Sequence, residues 1–163
     1  MFLVVACVTA VATAGACERS TSANPPAPTG AGGTKPSCGV APASLVSSTL
    51  GVTVGEPQET DNGRVVTCLY APGADSSAVT VRFQTGTGAA EFTAGRQGFA
   101  STNQPTTDVP GFADEAYSST LGSGAMAVNT LVARRGELEI LVSSSASIDA
   151  EKALIQRLLD ALA

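Results

Sequence analysis

From Glu18 to Ser37 the chain is built from Ser, Thr, Pro, Gly, Ala and Asn with three charged residues, and has no aromatic or branched aliphatic side chain. Such a stretch has nothing to bury, so no packing offsets the entropy lost on ordering it. This limits the fold more than any other feature. Whatever core the protein builds must come from residues 38–163, a length suited to one domain with a single core. Residues 17–37 read as a disordered tether, and a coil of that length spans on the order of 25 Å.

Residues 1–16, MFLVVACVTAVATAGA, carry no charged side chain. A transmembrane helix needs ~20 mainly apolar residues, so this run is short. It matches the ~7–15-residue apolar core of a secretory signal, and Ala14-Gly15-Ala16 has the form of its cleavage site. No Lys or Arg precedes the apolar core, where a signal usually has one, so a misassigned start and a truncated chain both stay open. Cys17 follows at once. Ala14-Gly15-Ala16-Cys17 resembles the lipobox of bacterial lipoproteins. That resemblance implies a diacylglyceryl group in thioether linkage on Cys17, signal removal just before it, and a membrane anchor through the lipid. The match departs at Ala14, where Leu is usual. Val4-Val5-Ala6-Cys7 fits better by letter, but more apolar residues follow Cys7 rather than a tether. Plain cleavage at the same bond, leaving a free thiol, is the alternative.

Four cysteines are present. Cys7 leaves with the signal and Cys17 takes the lipid, so Cys38 and Cys68 remain for each other. In an exported chain two such cysteines are expected to bridge. Metal binding is the other use of the pair, but there is no His and no C-x-x-C to complete a tetrahedral site. The net charge of −5 and the lack of any basic run longer than Arg134-Arg135 argue against nucleic acid as a partner.

Hydrophobic spacing predicts a short helix over 42–50 with Gly51 as its stop. Strands follow at 52–59 and 64–71 around an Asp61-Asn62-Gly63 hairpin turn, and at 78–85 after Pro72-Gly73. Phe92 and Phe99 lie seven apart in a helix predicted over 88–100, which Gly95 and Gly98 weaken by roughly 1 kcal/mol each. Residues 101–110 read as a polar loop. Strands are expected at 112–120, 125–133 and 137–143. The final helix, 147–163, has Ser147 or Asp149 as its cap and one stripe of Leu154, Ile155, Leu158, Leu159 and Leu162. Asp149 and Glu151 are read as first-turn charges that suit the positive helix end. The expected fold is α+β: a single domain with an antiparallel sheet from two β-meanders and helices packed on one face.

Three features carry a family resemblance. Cys38 opens a short helix ending in Leu50-Gly51. Cys68-Leu69-Tyr70 places an aromatic just after the second cysteine. Val109–Tyr117 reads Val-Pro-Gly-Phe-Ala-Asp-Glu-Ala-Tyr. From Cys38 onward the chain is similar to small actinobacterial cell-envelope lipoproteins of the LprB/LprC type, which carry a domain of unknown function. Tyr70 is a departure, since Trp is expected there. The resemblance implies location and fold and supplies no catalytic residue.

Without His, neither a Ser-His-Asp triad nor a Cys-His pair can form, and no phosphate-loop or cofactor motif is present. The expectation is therefore a non-catalytic binding or accessory module. The alternatives are a carboxylate-dependent cell-wall glycan hydrolase and a purely structural envelope protein. Asp114-Glu115 is the one adjacent carboxylate pair beside Gly and aromatics, and its plainer reading is a solvated turn at the start of a strand. Glu137 and Glu139 are read as a charged outer face. Arg134-Arg135 is read as a hairpin tip, with anion binding as the sharper reading. Phe92, Phe99, Phe112 and Tyr117 are the candidate lining of a groove for a small hydrophobic ligand or an envelope protein, with core filling as the competing role.

Overall fold

The computed structural model describes residues 34–73 and 77–163. The expected signal, Cys7, the expected lipidation site Cys17 and the expected tether as far as residue 33 lie outside the described residues. So does the stretch 74–76 after Pro72-Gly73.

The helices are α1 (Ala43–Leu50), α2 (Ala89–Ser101) and α3 (Ile148–Ala161). The strands are β1 (Val54–Asp61), β2 (Val65–Pro72), β3 (Val79–Thr85), β4 (Thr106–Asp108), β5 (Glu115–Leu121), β6 (Val128–Arg135) and β7 (Leu138–Ser144). All pair antiparallel in one sheet of order β1-β2-β3-β7-β6-β5-β4. The architecture is α+β, a single compact domain. Two meanders, β1–β3 and β4–β7, join where β3 pairs with β7.

Local chemistry accounts for most boundaries. Gly51 ends α1 in the left-handed conformation, φ 69°, and returns its N–H to the Ser47 carbonyl. Ser147 caps α3, its hydroxyl accepting from the Ala150 N–H at 3.3 Å. Gly63 turns the first hairpin at φ 79°, where the Asp61 carboxylate accepts its N–H at 2.7 Å.

The structure corrects four expectations. The polar loop 101–110 contains β4, a short edge strand whose Thr and Asp composition hid it. β5 begins at Glu115 rather than Phe112, because Gly111 (φ 72°) and Ala113 (φ 54°) take left-handed conformations that no strand contains. The helices do not share one face. α1 and α3 pack on one side through Val46, Leu50, Leu154, Ile155 and Leu158, while α2 covers the other through Phe92 and Phe99. The reason lies in β6 and β7, where Leu131-Val132-Ala133 and Ile140-Leu141-Val142 are apolar on both faces and need cover on both. Last, Glu139 is not on a solvated outer face. It lies on the side where α2 packs, only 5% exposed, and accepts a hydrogen bond from Arg82 at 2.6 Å. Glu137 is exposed, as expected.

Candidate functional site

Cys38 and Cys68 form a disulfide, with Cα atoms 5.6 Å apart. It ties the turn before α1 to β2 at the centre of the first meander. The Cys38 N–H donates to the Glu59 carboxylate at 2.7 Å, so β1 holds the same turn.

A cleft of about 360 Å³ lies between α2 and the segment joining β4 to β5. α2 contributes Phe92, Thr93 and Arg96, and the segment contributes Val109 to Phe112 with Asp114 beyond. The left-handed residues Gly111 and Ala113 fold that segment back over the start of β5. A volume of this size lies at the lower end of the ~300–1,000 Å³ seen for small-molecule sites.

The four aromatic candidates separate into two groups. Phe92 and Phe99 both pack on Tyr117, with ring centroids 5.2 and 5.6 Å away. Phe112 belongs to the larger core, where the Lys152 ammonium sits 5.1 Å from its ring. Phe92 and Phe112 meet the cleft from opposite walls, whereas Tyr117 and Phe99 do not line it. Phe99 instead borders a shallow depression with Gly95 and Gly98. Burial pushes the Tyr117 hydroxyl up to about 12, with the Glu139 charge adding to the effect.

The charged candidates answer one another. Arg134 donates to Glu115 at 2.9 and 3.0 Å and lies 3.7 Å from Asp114, which also accepts the Gly136 N–H at 2.7 Å. Arg135 reaches Asp160 at 3.4 Å. Arg134 thus joins Asp114 and Glu115 on the cleft side of the sheet, while Arg135 is tied to α3 on the opposite face. No group of three or more His, Cys, Asp or Glu among the described residues is placed to hold a metal.

Two residues of consequence escaped the sequence reading. Arg96 rims the cleft. It ion-pairs with Asp108, donates to the Thr106 hydroxyl at 3.0 Å and lies over the Tyr117 ring, so it fastens α2 to β4. Its position four residues after Phe92 and three before Phe99 was the available signal. Glu151 is completely buried. Its spacing to Leu154, Ile155 and Leu158 puts it on the apolar stripe, which the charge reading overlooked.

Compared with protein-family models, curated proteins and solved structures, the chain finds no match. The disulfide is consistent with an extracytoplasmic protein. No helix among the described residues is long and apolar enough to cross a membrane.

Proposed function

We propose that the protein is an exported envelope lipoprotein, held to the membrane by a lipid on Cys17, whose folded head is a non-catalytic binding module. The binding site is the cleft between α2 and the β4–β5 segment. One observation carries this reading. Val109–Tyr117, the longest motif behind the resemblance to actinobacterial envelope lipoproteins, supplies all of the wall facing α2 but Asp108: Val109, Pro110, Gly111, Phe112, Asp114, Glu115 and Ala116 all line the cleft. The Cys38–Cys68 bridge supports the location.

The hydrolase alternative needs two carboxyl groups flanking a scissile bond at ~5–10 Å. The carboxylates at this cleft are engaged instead, Asp108 by Arg96 and Asp114 and Glu115 by Arg134. They serve as structural ties and as a polar rim for a bound molecule.

Three experiments test the proposal. Intact mass of protein taken from membranes is expected to show cleavage before Cys17, an added diacylglyceryl mass and two hydrogens fewer than the reduced head. Cys17→Ala is expected to release the protein from the membrane fraction, and retention there would refute the anchor. Native mass spectrometry of the extracted head is expected to show a small molecule that is absent from Thr93→Trp, which fills the cleft from an exposed position on α2. Equal occupancy in both proteins would refute the site.

A further inference from the structure

Glu151 stands in the first turn of α3 yet points into the core. Its Oε1 accepts a hydrogen bond from the Ser144 hydroxyl at 2.7 Å, and Ser144 in turn accepts from the Ala146 N–H at 3.1 Å. Its other oxygen, Oε2, is buried with no hydrogen-bond partner.

Among the described residues, no cation answers this carboxyl. On its own helix, Lys152 is turned to the Phe112 ring, and Asp149, Arg157 and Asp160 are exposed. On that face β6 and β7 present Leu131, Val142 and Ser144, the last bonded to the carboxyl. Arg135, further along β6, is paired with Asp160 near the other end of α3. Arg134 and Glu139 belong to the opposite face of the sheet, with Glu115 and Arg82 as their partners. α1, which packs against α3, has no ionisable side chain. An ionised carboxylate here would be buried with no counter-charge and with one oxygen unbonded, which is unfavourable, whereas the neutral acid is tolerated.

We propose that Glu151 is a proton-held latch: α3 seats on the sheet with this carboxyl neutral, and its ionisation in alkaline solution releases the first turn of the helix. The proton passes to solvent as the turn opens. Burial pushes the group up to about 8, and hydrogen bonds from the Ser144 hydroxyl and from nearby backbone amides pull weakly the other way. In the unfolded chain it titrates near 4.5. The seated state therefore holds a proton that the open state gives up. Its contribution to stability is complete below 4.5 and is lost as pH rises through about 8. Within that window the opening equilibrium of α3 grows by up to about tenfold per pH unit.

The test follows hydrogen exchange of the α3 amides and the urea midpoint of the whole mature protein from acidic to alkaline pH. In wild type, exchange corrected for its intrinsic rise is expected to accelerate and the midpoint to fall. In Glu151→Gln, whose amide stays neutral, that difference is expected to vanish. Parallel pH profiles in the two proteins would overturn the proposal. Should Glu151→Gln fail to fold, a carbon-13 NMR titration of the wild-type carboxyl decides. An inflection near 8 supports the latch; an ordinary carboxylate value, or an ionised group bridged by an internal water, overturns it.

Discussion

The two faces of the sheet are built from different materials. The face under α1 and α3 is a large continuous core, mostly aliphatic but with Tyr70, Phe83 and Phe112 set into it, running from Val46 and Leu50 through Val81 and Val142 to Leu158, with the Cys38–Cys68 bridge at one end. The face under α2 is a small aromatic cluster of Phe92, Phe99 and Tyr117, set beside the ion pairs Arg82–Glu139 and Arg134–Glu115. On the far side of this face from α2, Leu69 of β2 is nearly half exposed. Stability therefore concentrates on the first face. The second is lightly covered and polar at its edges, and the cleft beside it touches the larger core only at Phe112 and Ala116.

That contrast can be broken by mutation. Leu158→Ala, in the centre of the first face, is expected to cost up to about 5 kcal/mol. Phe99→Ala, half-buried on the second, is expected to cost only about 1–2 kcal/mol. Equal losses by urea denaturation would show that the second face bears as much load as the first. Cys38→Ala with Cys68→Ala removes the staple of the first face. With a loop of 30 residues the expected cost is about 3–4 kcal/mol in the chain-entropy account. A midpoint unchanged under oxidising conditions would mean that the core alone holds the turn before α1.

On the second face, Arg82→Ala leaves the Glu139 carboxylate buried without its donor and is expected to cost about 1–3 kcal/mol. Replacing both residues, as Arg82→Met with Glu139→Leu, is expected to recover most of that loss, because an apolar pair needs no desolvation. A double variant as unstable as the single one would show that the ion pair itself organises this face. The smallest effect has the opposite sign. A side chain at Gly98 meets nothing within 4 Å, so Gly98→Ala is expected to stabilise α2 by about 0.5–1 kcal/mol, read as a rise in thermal midpoint. A loss instead would mean that the outer surface of α2 requires the glycine.

Much of this was legible residue by residue. The α3 stripe, the Gly51 stop, the Gly63 turn and the alternation in β3 each follow from short-range chemistry, and each appears within a few residues of its expected place. The cysteine pairing also followed from counting. Other features were opaque for identifiable reasons. β4 is three residues of Thr and Asp, whose edge position asks nothing apolar of them. Glu139 alternates with apolar neighbours as a solvated residue would, and only Arg82, a residue 57 positions away, reveals its burial. The aromatic candidates were grouped by type, while the register of β5 and the fold-back at Gly111 and Ala113 separate Phe112 from Tyr117.

Periodicity, capping residues and turn chemistry act within a few residues, so the sequence by itself determined the helices, most strands and the antiparallel α+β class. Which helix covers which face, where the cleft forms and which carboxyl is buried were decided only by the tertiary structure. Those outcomes depend on cross-strand register and on contacts between residues far apart in the chain, and no local pattern encodes them.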